Sequence, residues 1–129
     1  MSTIPAGLKY TSSHEWVRDE GDGTVSVGIT DFAQAQLGDI VFVELPAPGT
    51  VVAAGVPVGV VESVKAASDI YSPVSGTVRA SNGELETGPE RVNKDAYAAW
   101  FLRVELANRG ELDAMLDASA YAGLLPEGG

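Results

Sequence analysis

Cysteine is missing from this chain altogether, and histidine occurs once, at His14. Without a thiol there is no cysteine nucleophile, no disulfide and no iron–sulfur ligand. A single imidazole does not suit a typical zinc site, so no metal is expected. Ser12 and Ser13 adjoin His14, but adjacency in sequence is not triad geometry. Positive charge is scarce as well: eight Lys and Arg stand against 18 Asp and Glu, a net charge of -10. The cations are dispersed, whereas nucleic-acid binding rests on neutralising phosphates, so neither nucleic acid nor an anionic membrane is expected as a partner. Proteins with basic docking faces suit this charge better. No apolar run approaches the ~20 residues of a membrane-spanning helix. The N-terminus MSTIPAGLKY has no basic stretch followed by an apolar one, so the expected location is the cytoplasm. Redox or group-transfer chemistry would have to use borrowed reactive atoms.

What remains is a chain of 129 residues rich in short β runs, read as a single domain over 1–129 with a frayed tail at 126–129. Turn residues punctuate predicted strands at Thr24–Ile29, Ile40–Glu44, Thr50–Val52, Val58–Glu62, Ile70–Tyr71, Gly76–Arg79 and Trp100–Leu106. That grammar predicts an antiparallel sandwich or barrel. In TDFAQAQLGD, Thr30 is placed to cap a short helix that Gly38 stops. ELDAMLDASAYAGLL spaces Leu112, Met115, Leu116 and Tyr121 for a C-terminal helix packed on the sheet. Gly49–Ala53 (GTVVA) recurs as Gly76–Ala80 (GTVRA), which suggests a two-fold pseudo-symmetric sandwich.

Between the two copies lies Lys65, one of three lysines, with Glu62 three places before it and Asp69 four after. The flanking strands place Val64–Ala67 at a hairpin tip. Tips favour Gly, Asn, Asp or Pro, yet this one is small and apolar with one cation. A solvated lysine, kept company by solubilising acids, is the plain alternative. Against it, a projecting amine with small neighbours is open to a modifying enzyme, and two carboxylates at fixed spacing offer a frame to recognise. Once acylated by a cofactor, the amine would become a swinging arm. The residues alone leave that arm unnamed.

HEWV at 14–17, VGITDFAQAQLGDIVFVELPAPG at 27–49, VESVKAASDIYSPVSGTV at 61–78 and N-x-D-x-Y…W from Asn93 to Trp100 together resemble the glycine cleavage H-protein family of lipoyl carriers. The resemblance runs from about Leu8 to Leu125. Biotinyl domains usually flank their lysine with methionines, and lipoyl domains of 2-oxoacid dehydrogenases lack this N-terminal half. The resemblance implies a mainly β, pseudo-symmetric lipoyl/biotinyl-type sandwich (a barrel-sandwich hybrid) with a short internal helix and a C-terminal helix. It implies (R)-lipoate in amide linkage to Lys65, attached by a lipoate ligase or lipoyl transferase that reads Glu62 and Asp69. Ser13, Glu15 and Asp69 would hold the loaded arm in a surface cleft, while His14 and Trp16 read as packing residues. The carrier, a monomer and not an enzyme, would take an aminomethyl group from glycine decarboxylase (P protein) to the aminomethyltransferase (T protein), and electrons to dihydrolipoamide dehydrogenase (L protein). The family typically reads N-x-D-P-Y-G-x-G-W. Here only two residues separate Tyr97 from Trp100, without the Pro or either Gly, so a different local turn and one altered docking edge are expected. A lipoyl domain of a 2-oxoacid dehydrogenase and an unmodified β-sandwich adaptor are the rival readings.

Overall fold

The computed structural model describes residues 4–125, and the predicted tail at 126–129 lies outside them. Nine strands form two antiparallel sheets among the described residues. The larger has six strands: β1 (Lys9–Tyr10), β2 (Glu15–Asp19), β3 (Thr24–Ile29), β9 (Leu102–Leu106), β8 (Gly76–Ser81) and β5 (Val51–Val52), in that spatial order. The smaller runs β4 (Ile40–Glu44), β6 (Pro57–Ser63) and β7 (Ala67–Tyr71). Both contribute to one apolar core. Val25, Val27, Val78, Leu102 and Val104 come from the larger sheet, and Ile40, Val43, Val61 and Ile70 from the smaller. Strand pleating turns Val25 and Val27, and Leu102 and Val104, to the same face, and a register shift between Ile40 and Phe42 lets Ile40 and Val43, three apart, both reach the core. The result is a sandwich without a closed barrel.

The repeated pentapeptides face one another. Val51 lies opposite Thr77, while the Thr50 carbonyl accepts from the Val78 N–H at 2.8 Å. The third residue of each copy therefore meets the second of the other, as a two-fold axis between them requires.

Helix α1 (Asp31–Leu37) follows the larger sheet and leads into the smaller one. Thr30 caps it, its Oγ1 accepting from the Ala33 N–H at 3.2 Å. Gly38 ends it at φ 85°, ψ -154°, a conformation open almost only to glycine. Two further short helices, α2 (Glu84–Thr87) and α3 (Arg91–Lys94), have no counterpart in the sequence prediction. At four residues each they carry too little periodicity to be read.

The N-terminal hairpin of β1 and β2 was likewise not predicted. Its turn hinges on His14, the only non-glycine with positive φ (71°) among the described residues, where no Gly or Pro marks a turn. The single C-terminal helix expected over 111–125 is corrected to a 3₁₀ turn at Arg109–Ala114 and helix α4 at Ala118–Ala122. Between them Leu116 bridges to Tyr10, with N–H···O distances of 2.8 and 2.9 Å. Asp117 then restarts the helix by accepting from the Ala120 N–H at 2.8 Å. A long-range bridge and a local cap outweigh the helical spacing. Tyr10, Trp16 and Tyr121 build a second, aromatic cluster there, the two tyrosine rings stacked at 4.8 Å.

Candidate functional site

Lys65 is exposed at the tip joining β6 to β7, as the sequence predicts. Ser63 shapes that tip. Its N–H donates to the Ala66 carbonyl at 2.7 Å, and its Oγ accepts from the N–H groups of Lys65 and Ala66 at 3.3 and 3.1 Å. A serine-braced turn thus replaces the Gly or Asn usual in tight hairpins. Outside the hairpin, the Val64 N–H donates to the Asp39 carbonyl at 3.1 Å. The lysine does not simply point away from the body: its Cε lies 3.4 Å from where a Cβ on Gly38 would stand. The stem crosses the end of α1, and glycine leaves it room.

Glu62 and Asp69 lie on the outward face of the small sheet, opposite Ala67 and Val60 respectively. Val61, Ser63 and Ile70 alternate with them into the interior. Phe42, 43% exposed, stands across from Glu62 on β4. The lysine is therefore flanked by two acids sharing one face with exposed apolar side chains.

Ser13 and Glu15 are brought together on the N-terminal hairpin. Glu15 Oε1 accepts from the hydroxyls of Ser13 at 2.5 Å and Thr11 at 2.6 Å, and the residue is 2% exposed. Burial pushes its carboxyl above the ordinary value; the hydroxyls of Ser13 and Thr11 and the backbone of Tyr71 pull the other way. Tyr71 ends β7, two residues beyond Asp69, which is exposed. The Ser13–Glu15 pair thus sits at the far end of the strand that starts beside Lys65. Thr11, which the sequence reading did not single out, completes the group; a threonine four residues before a glutamate gave no signal of its own.

His14 and Trp16 pack, as expected. His14 Nδ1 is 2.8 Å from the Tyr121 hydroxyl, which lies 2.7 Å from Thr30 Oγ1. Burial holds the imidazole below its ordinary value, favouring the neutral ring. Trp16 is fully buried and donates from Nε1 to the Ala96 carbonyl at 3.0 Å.

The Asn93–Trp100 segment keeps its anchors despite the shortened spacing. Asn93 Oδ1 accepts from the Ile40 N–H at 2.8 Å, and Nδ2 donates to Gln34 Oε1 at 2.8 Å and the Gly38 carbonyl at 2.9 Å. Asp95 Oδ1 accepts from the N–H groups of Tyr97 and Ala98 at 3.1 and 3.3 Å. The Tyr97 hydroxyl accepts from the Asp31 N–H at 3.2 Å. Asn93 and Tyr97 therefore grip the two ends of α1. Among the described residues, no three His, Asp or Glu side chains gather into a metal-holding group. No helix there is long and apolar enough to cross a membrane.

Residues 8–128 match the family model described as glycine cleavage H-protein. The chain is 60% identical over 125 residues to the glycine cleavage system H protein of Burkholderia ambifaria, covering 97% of this chain and 99% of that one. It is 61% identical over 122 residues to the H protein of Azoarcus sp. strain BH72, covering 95% and 96%. Its fold superposes on the crystal structure of a glycine cleavage system H protein from Mycobacterium marinum with a TM-score of 0.85 at 41% identity, covering 93% and 97%. These likenesses take in the N-terminal hairpin, the small sheet with its lysine tip and the clamped helix. The chain belongs to the glycine cleavage H-protein family, the non-catalytic carrier subunits of the glycine cleavage system.

Proposed function

We propose that this chain carries (R)-lipoate on Lys65 and works as a cytoplasmic, monomeric shuttle. It would take an aminomethyl group from glycine decarboxylase to the aminomethyltransferase and electrons to dihydrolipoamide dehydrogenase. The observation that carries the reading is the braced, exposed Lys65 tip in a chain without cysteine. Those residues fit an acylated lysine: the amine is accessible, its stem crosses a glycine, and no thiol of the chain competes. When bound, the lipoyl group supplies a dithiolane that takes up electrons and holds a one-carbon amine. Ser63 and Asp39 fix the tip from which the arm springs. Glu62 and Asp69 face outward on either side of it, where a lipoate ligase or lipoyl transferase would read them. Ser13, Glu15 and Asp69 would receive the arm's far end. From Ala67 to Tyr71 the strand spans about 13 Å at ~3.3 Å per residue, and Glu15 meets the backbone of Tyr71 at its end. A carboxylate near that end suits a cationic amine.

The test is the intact mass of natively expressed protein, followed by peptide mapping. A lipoyl-sized increment on Lys65 is expected. An unmodified chain would return the adaptor reading, and an increment on Lys9 or Lys94 would move the site.

A further inference from the structure

We propose that Asn93 is a positioning residue for Lys65, acting through the Gly38–Asp39 turn; the inference rests on Lys65 being the acylated lysine. The Asn93 carboxamide is fully engaged, with Oδ1 taking the Ile40 N–H and Nδ2 giving to Gln34 Oε1 and the Gly38 carbonyl. Only one amide orientation satisfies all three partners, because the reverse would set oxygen against a carbonyl and NH₂ against an N–H. The side chain thereby ties together both flanks of the turn that leaves α1 and enters β4. Between those ties, Asp39 offers its carbonyl to the N–H of Val64, the residue before Lys65. Gly38, held in a conformation foreign to other residues, lies under the lysine stem. The path from Asn93 to the lysine is thus one turn long: carboxamide, Gly38–Asp39–Ile40, Val64, Lys65.

The consequence is chemical. The lysine nitrogen forms an amide with the acyl carbon of an acyl adenylate made from ATP, the acyl–phosphate bond breaks, and AMP and the amine's proton leave. The amine must be presented within a fraction of an ångström, and a 1 Å error costs up to about a hundredfold in rate. Loosening the turn would let the tip wander while Glu62 and Asp69 stay in the β6–β7 ladder. Presentation should fail before docking does. This also gives the Asn93–Trp100 segment a role that survives its altered spacing, since Asn93 lies ahead of the shortened part.

The experiment measures lipoylation of the full apo chain by a lipoate ligase with lipoate and ATP, as a function of chain concentration. Asn93→Ala is expected to lower kcat about tenfold while KM for the chain stays within about twofold. Lys94→Ala, a neighbouring surface change, should leave both unchanged. Amide exchange at Val64 should quicken in Asn93→Ala, while Phe101, whose N–H donates to the Val27 carbonyl at 2.6 Å in the core, keeps its protection. Should Asn93→Ala not fold, Asn93→Asp takes its place. It keeps the Ile40 contact and cannot donate to the Gly38 carbonyl when ionised. An unchanged kcat, a raised KM alone, or a loss matching the unfolded fraction would overturn the proposal while wild-type Lys65 is still modified. A wild-type chain left unmodified at Lys65 would remove the functional reading as well.

Discussion

Ser13 donates its hydroxyl to Oε1 of Glu15 at 2.5 Å, and the carboxyl it meets belongs to one of the few buried charged or polar residues of the fold. Desolvation holds that carboxyl above its ordinary value of 4.5. The folded chain therefore binds the Glu15 proton more tightly than the unfolded chain does. Its stabilising contribution is complete below pH 4.5 and is lost as pH rises through the folded value. Glu15→Gln keeps an oxygen for both hydroxyls and removes the titration. Its melting temperature relative to wild type should climb as pH rises from 4.5 through the raised folded value and then level off. Parallel melting curves across that range would show that Glu15 does not titrate as its burial demands.

Lys65→Arg should fold normally and accept no lipoyl group, because a guanidinium is not acylated by the ligase chemistry. Thermal melting should match wild type within about 0.5 kcal/mol, as for other surface substitutions. Glycine–bicarbonate exchange in the reconstituted system should fall to background. Retained exchange would refute Lys65 as the carrier residue.

Glu62→Ala and Asp69→Ala probe recognition separately from folding. Neither side chain is an ion-pair partner among the described residues, and exposed charges contribute about 1 kcal/mol or less. Lipoylation should slow through a raised KM for the chain, in contrast to the kcat effect expected of Asn93→Ala. Unchanged kinetics in both variants would leave the acids as solubility devices.

Gly28→Ala would place a Cβ 2.6 Å from the Trp16 indole. Trp16 is fully buried and pinned through Nε1 to the Ala96 carbonyl, so it has nowhere to retreat. A destabilisation of about 1–3 kcal/mol is expected from overpacking, read from the urea midpoint. A wild-type midpoint would mean that this corner of the fold yields more than its packing implies.

Tyr121→Phe removes the hydroxyl between His14 Nδ1 and Thr30 Oγ1 while keeping the ring stacked on Tyr10. Leaving buried polar groups unpaired should cost about 1–3 kcal/mol. Tyr10→Phe is a useful contrast, because among the described residues its hydroxyl donates to a single partner, the Pro5 carbonyl at 2.5 Å, and bridges no two side chains. Equal losses in the two variants would deny the Tyr121 bridge a special role.

The sequence by itself determined the elements whose causes are local. Thr30 and Gly38 bound α1 because a hydroxyl cap and a positive-φ stop act within one turn. Thr24–Ile29 and Ile40–Glu44 were legible to the residue because β-branched runs end in turn residues. The exposed hairpin tip carrying Lys65 was legible because two β runs flank it closely, and a cation between small neighbours there departs from ordinary turn grammar. The N-terminal hairpin was not, since His14 holds a left-handed conformation that nothing in its own side chain announces; the Thr30 N–H on its carbonyl and Tyr121 on its ring fix it from afar. Helical spacing over 111–125 gave way to the Tyr10–Leu116 bridge, whose partners lie more than a hundred residues apart. The burial of Glu15 and the reach of Asn93 to the lysine turn were decided only by tertiary structure. Both depend on which strand and which helix end arrive beside them, and side-chain hydrogen bonds between distant segments leave no period in the chain.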